Sequence, residues 1–103
     1  MSESTSHKTG KKKGLTNAQT EVPIPGGGRL DARDKEVARE VERSGQKAQI
    51  KKAIERLNTQ KSFKKQLLVP NNDLDKAKEL GEKFAKGKLT IQNLGGTKRR
   101  FVK

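Results

Sequence analysis

Apolar positions recur with two different periods along this chain, and each change of period marks a new element. Within "QKAQIKKAIERLNTQ", residues 46–60, Ile50, Ala53, Ile54 and Leu57 follow the i, i+3, i+4, i+7 spacing that lines one helical face. Ser44 or Gly45 can start this helix and Asn58 can help end it, while Lys47, Lys51 and Lys52 fall mostly off the apolar stripe. "QLLVP" then has strand character and is stopped by Pro70. "NNDLDKAKELGEKFAKG" returns to helical spacing through Leu74, Ala77, Leu80 and Phe84, with Asn71 or Asn72 as cap and Asp73 and Asp75 at the positive end of the dipole. In "KLTIQNL", Leu89 and Ile91 alternate with Thr90 and Gln92 until Gly95 and Gly96 close the run. A strand, a helix and a strand connected at this length imply a parallel pair with a right-handed crossover. "TKRRFVK" is either a basic tail or a last short strand.

The stretch "GGGRLDARDKEVAREVERSG" supports two readings. Alanine, glutamate, lysine and arginine dominate residues 31–44 and Val37 and Val41 are four apart, so local propensity favours a helix. Val37, Arg39 and Val41 also alternate with Ala38, Glu40 and Glu42, so "RLDAR" and "EVAREVERS" can pair as a hairpin turning at Asp34–Lys35. That turn would set Arg33 opposite Glu36 and Asp31 opposite Ala38, with Glu40 diagonal to Asp31 on the same face. A helix here would leave two strands to make a sheet alone, which rarely suffices. The hairpin supplies the missing strands. The expected fold is thus a mixed α/β (α+β) domain over residues 29–103: a small mixed sheet from a hairpin plus a βαβ unit, with two helices packed on it.

Residues 1–28 read as a disordered basic arm, since they are polar and carry Pro23, Pro25 and the Gly26–Gly28 run. Val22 and Ile24 could still pair there as a short edge strand. Composition then narrows the function. The 103 residues are 28% hydrophobic and 36% charged, so any core is thin. The net charge is +13, concentrated toward the C-terminal half. An excess of this size binds polyanions by releasing condensed counterions, which points to nucleic acid, DNA or RNA, as partner. Absence of cysteine excludes disulfides and thiol catalysis, and no apolar run reaches the roughly 18 residues of a membrane span. A cytoplasmic setting is expected, with delivery into a target cell left open. The single histidine, His7, lies in the arm, which argues against histidine-based nuclease chemistry. Three phenylalanines without tyrosine or tryptophan are too few for a platform of stacked bases, so Phe63, Phe84 and Phe101 are assigned to the core.

An aspartate on one strand, a short turn, a strand carrying Glu-x-(Lys or Glu), an amphipathic helix and a further strand: in this order of parts the chain resembles the PD-(D/E)xK restriction-endonuclease-like fold. "GGGRLDA" followed by "EVERSGQKAQIKKA" is also similar to nuclease domains at the ends of bacterial polymorphic toxins. The likeness covers residues 22–94. It implies that Asp31 and Glu40 hold a divalent metal, magnesium, that Glu42 stands at the position usually held by lysine, and that Lys47 and Gln49 are accessory residues on the following helix. Two departures are the Gly/Pro-rich arm where the family has a helix, and the missing signature lysine, so that the metal-bound water would need another base, or Lys47 reaching in. Phosphate contacts are expected from Arg29, Lys51, Lys52, Lys64, Lys65, Lys86, Lys88, Lys98, Arg99 and Arg100. Two other classes stay open: a basic DNA- or RNA-binding protein without catalysis, and an adaptor or inhibitor docking on an acidic protein surface. A homodimer or an inhibitory protein partner is compatible with each.

Overall fold

The computed structural model describes residues 19–24, 28–60 and 63–103. Strands β1 (Gln19–Pro23), β2 (Arg29–Arg33) and β3 (Val37–Val41) are followed by helix α1 (Lys47–Asn58) and strand β4 (Lys64–Val69). A 3-10 turn (Asn71–Asp73) leads into helix α2 (Leu74–Phe84), then β5 (Leu89–Asn93) and β6 (Arg99–Val102). The six strands form one sheet in sequence order. β1, β2 and β3 pair antiparallel, β3–β4 and β4–β5 pair parallel, and β5–β6 pair antiparallel. Two successive crossovers of one hand lay both helices on one face of the sheet, where α1 and α2 also touch each other.

The contested stretch is a hairpin, and Asp34 supplies the local reason. Its Oδ1 accepts the backbone N–H groups of Glu36 (2.7 Å) and Val37 (2.6 Å), a side-chain turn that competes with helix. This turn takes up more chain than a bend at Asp34–Lys35 would. The register is therefore two residues from the expected one: Arg33 faces Ala38 and Ala32 faces Arg39. Continued by one pair, it sets Asp31 directly opposite Glu40 rather than diagonal to it.

The apolar stripes do what their spacing dictates. Ile50, Ala53, Ile54 and Leu57 of α1 and Leu74, Ala77 and Leu80 of α2 form one buried cluster with Ala38, Leu67, Val69, Leu89, Ile91 and Val102 of the sheet. At about 25 cal/mol per Å² of apolar area, such side chains supply most of the folding energy of so small a core. Gly81 is what lets α2 approach: a Cβ there would lie 2.9 Å from Val102 Cγ2 and 3.2 Å from Leu89 Cδ2.

Three expectations change. The arm assigned to residues 1–28 includes strand β1, because Val22 pairs with Leu30 and both join the core; residues 1–18 lie outside the described residues. Neither asparagine caps α2: Asp73 holds the N-cap position without a side-chain cap bond, and its carboxylate lies against Gly45, which has positive φ (71°). Phe101 is not core but 60% exposed. Val102 faces Leu89 inside the core, so alternation along β6 turns Phe101 to the other side. Phe63 and Phe84 do pack, partly buried, against the core. Among the described residues no helix is long and apolar enough to cross a membrane.

The Gly81 contact gives a test. Gly81→Val should lower stability to chemical denaturation by about 1–3 kcal/mol, as overpacking does. An unchanged urea midpoint would mean that α2 does not seat on β5 and β6 as described.

Candidate functional site

The hairpin register brings two carboxylates together. The Asp31 backbone N–H donates to Glu40 Oε2 (2.9 Å) and the Val41 N–H donates to Asp31 Oδ2 (2.8 Å). Each side chain thus accepts an amide of the opposite strand, and the pair is bonded into the sheet rather than standing above it. Glu21, level with Asp31 between the Thr20–Ala32 and Val22–Leu30 pairs of β1 and β2, takes a positive φ (54°) that non-glycine residues rarely adopt.

Glu40 points under α1 and is wholly buried. Its Oε1 accepts the Nε–H of Arg56, which reaches down from the last turn of α1 with its side chain 31% exposed. Burial raises the Glu40 pKa to about 9, with the bond to and charge of Asp31 adding to the rise and Arg56 opposing it. Two carboxylates this close in a desolvated place do not both ionise readily, so Glu40 keeps a proton at neutral pH. The arginine is a close partner, but it does not outweigh burial and Asp31 together.

The other expected members lie apart from the pair. The Glu42 N–H donates to the Leu68 carbonyl (2.8 Å), and its Oε1 accepts the Ser44 N–H (2.9 Å), so its carboxylate is used in the loop after β3. Lys47 is exposed at the first position of α1 and Gln49 is half-buried on the same turn. No group of three metal-ligating side chains forms among the described residues. Asp31 and Glu40 still offer two hard oxygen donors in one place. That suits magnesium, which is commonly held by one or two carboxylates and completes its shell with water and substrate oxygens. Arg56 was not foreseen. Its only signal was a base at the margin of the α1 stripe, and nothing local links it to a glutamate sixteen residues earlier.

The basic residues divide as well. Lys64 and Lys65 at the start of β4, Lys86 and Lys88 before β5, and Lys103 after β6 surround a groove of about 900 Å³ with Phe101 in its wall and no acidic residue lining it. Asn58 holds one side of it: its Nδ2 donates to the Phe84 carbonyl and its Oδ1 accepts the Lys86 N–H, each at 2.9 Å. Of the other expected phosphate contacts, Arg29, Lys98 and Arg99 are exposed on strands or loops, and Lys52 is exposed on α1. Lys51 places its Nζ 4.7 Å from the Phe84 ring centroid, and Arg100 pairs with Asp75 at 3.3 Å. Arg39 is buried and donates through Nε to Gln66 Oε1 (3.0 Å); burial pulls its pKa below the ordinary value, and Asp34 opposes that.

In comparisons with known proteins, the chain matches no protein-family model, no curated protein and no solved structure.

The Glu40 proton has a measurable consequence. The folded state binds it more tightly than the unfolded chain, so its contribution to stability is full below about pH 4.5 and is lost as pH rises toward 9. Glu40→Gln, which cannot ionise, should remove up to about 1.4 kcal/mol of slope per pH unit inside that window. Urea unfolding at several pH values checks this. Parallel pH profiles for the two proteins would show that Glu40 is ionised in the folded state.

Proposed function

We propose that this chain acts on nucleic acid as a small magnesium-dependent nuclease of the restriction-endonuclease-like kind, with Asp31 and Glu40 as its metal-holding pair. The observation that carries the reading is their placement opposite each other on β2 and β3, each bonded to the other strand. The order of parts supports it too: a hairpin, then an amphipathic helix, then a strand parallel to the second hairpin strand. This is the order implied by the resemblance drawn from the sequence. A buried glutamate whose pKa is raised by desolvation and by a neighbouring carboxylate is also a recurrent mark of functional sites.

Magnesium held there would make a coordinated water more acidic and offset charge developing on a phosphate. The remaining roles belong to the chain itself. Arg56 keeps the Glu40 carboxylate oriented and partly compensated while its proton is absent. The lysines of the groove hold phosphates: Lys64 and Lys65 start β4, the parallel neighbour of β3, and Lys103 follows β6, three strand spacings or about 14 Å from β3.

A second reading, nucleic-acid binding without hydrolysis, has its own observation. Glu42, at the place of the signature lysine, is committed to the Ser44 amide, and Arg56 already serves as a counter-charge for Glu40. Cleavage assays on single-stranded and duplex DNA and RNA separate the two. The nuclease reading predicts cleavage with magnesium or manganese and none in chelator. Glu40→Gln and Asp31→Asn should each lower the rate by more than the ~10–100-fold that outer-shell partners of a metal cost, with binding retained. A wild-type protein that binds but never cleaves any of these substrates leaves the binding reading standing alone.

A further inference from the structure

We infer that the lysine groove takes a single strand of nucleic acid and that Phe101 stacks on one of its bases. This rests on the nucleic-acid reading above and adds to it the form of the substrate. Among the described residues Phe101 is the one large hydrophobic left exposed, at 60%. A 103-residue chain with a thin core places that ring outside because Val102 must point inward, yet nothing in the register calls for an aromatic at position 101.

The surroundings say what the ring can meet. Lys64, Lys65, Lys86, Lys88 and Lys103 share the groove with it, and no aspartate or glutamate does. Phosphates are the anions that come in a row with that much charge, and between successive phosphates of a single strand hangs a flat, apolar base face. Duplex nucleic acid presents the phosphates but keeps its base faces inside the stack, so it can use the lysines and not the ring. Directly opposite Phe101 on β5 is Thr90, and opposite Thr90 on β4 is Gln66. Parallel and antiparallel partners share a face, so the three make a row across the sheet: a stacking surface with a hydroxyl and an amide beside it. Arg99 lies on the same side of β6 by alternation. A base–aromatic stack needs only one ring, so three phenylalanines in the whole chain are no obstacle.

Strand addition by an acidic peptide, or by a second copy, is the competing occupant, because β6 is an edge of the sheet. Arg99 and Arg100 interrupt that edge with charge, a device that discourages pairing. The arrangement thus favours a polyanion whose contacts are phosphates and a base.

The test uses the full chain in chelator, so that cleavage plays no part, with fluorescein-labelled single-stranded 12-mers, the matching duplex and poly-L-glutamate as probes. Wild type should bind the single strand with a slope of log affinity against log salt of about −3.5, five lysines each contributing about −0.7. Phe101→Ala should weaken single-strand binding about 5- to 150-fold and leave duplex binding and the salt slope unchanged. Lys64→Ala combined with Lys88→Ala should lessen the slope by about 1.4. The chain has no tryptophan, so Phe101→Trp introduces a single reporter whose emission should change on adding single strand and not on adding duplex. A Phe101→Ala protein that binds single strands like wild type, or a Phe101→Trp emission unmoved at saturation, overturns the inference while leaving the nucleic-acid reading in place. Poly-L-glutamate displacing the strand at equal charge concentration overturns it in favour of an acidic polypeptide. Failure to bind any nucleic acid at low salt overturns both.

Discussion

A glutamate carboxyl buried under a helix is the constraint around which the rest of this structure is arranged. Taking a carboxylate out of water costs several kcal/mol even after the protein relaxes, and a domain of this size is stable by only about 5–15 kcal/mol in all. The fold therefore cannot leave Glu40 unpartnered. It offsets the cost three ways: a proton retained to about pH 9, a backbone amide from Asp31, and the Arg56 guanidinium. Each of these fixes geometry. The amide requires that β2 and β3 pair with Asp31 opposite Glu40. The guanidinium requires that the last turn of α1 lie over β3. The core of Ile50, Ala53, Ile54 and Leu57 supplies the apolar energy, and the buried acid helps specify the arrangement in which it is gained.

The same constraint organises charge across the molecule. Four of the five acids of the hairpin are drawn into the sheet or used in turns: Asp31 and Glu40 with each other, Asp34 at the bend, Glu42 in the loop, while Glu36 is exposed. The groove over β4, β5 and β6 is then lined by lysines with no acid among them. On the proposed reading, the lysine groove would draw the polyanion and the Asp31–Glu40 pair would take a divalent cation in exchange for the Glu40 proton.

How much of this was legible in the sequence depends on the range of the interaction concerned. Both helices and β4 and β5 were readable because Ile50 to Leu57 and Leu89 to Ile91 announce their periods within a few residues. The hairpin was readable only by its consequence for the sheet, since alanine, glutamate and arginine locally favour a helix. Its register was misread by two residues, because the deciding bonds run from the Asp34 side chain to the amides of Glu36 and Val37, and a count of alternation does not contain them. Asp31 and Glu40 were found together nonetheless, as both registers keep them on one face. Arg56 was missed because its role exists only once α1 crosses β3. Phe101 was misplaced because composition treats every phenylalanine as core, whereas Val102 decides which residue of β6 turns outward.

The claim that Asp31 and Glu40 form a cation site is tested most directly by calorimetric titration of magnesium or manganese into the protein at pH 7, repeated in buffers of different ionisation enthalpy. If the metal takes the place of the Glu40 proton, binding should release about one proton per ion, and Glu40→Gln should abolish both the binding and the release. Absence of binding in the wild type, or binding that releases no proton and survives Glu40→Gln, would contradict the account.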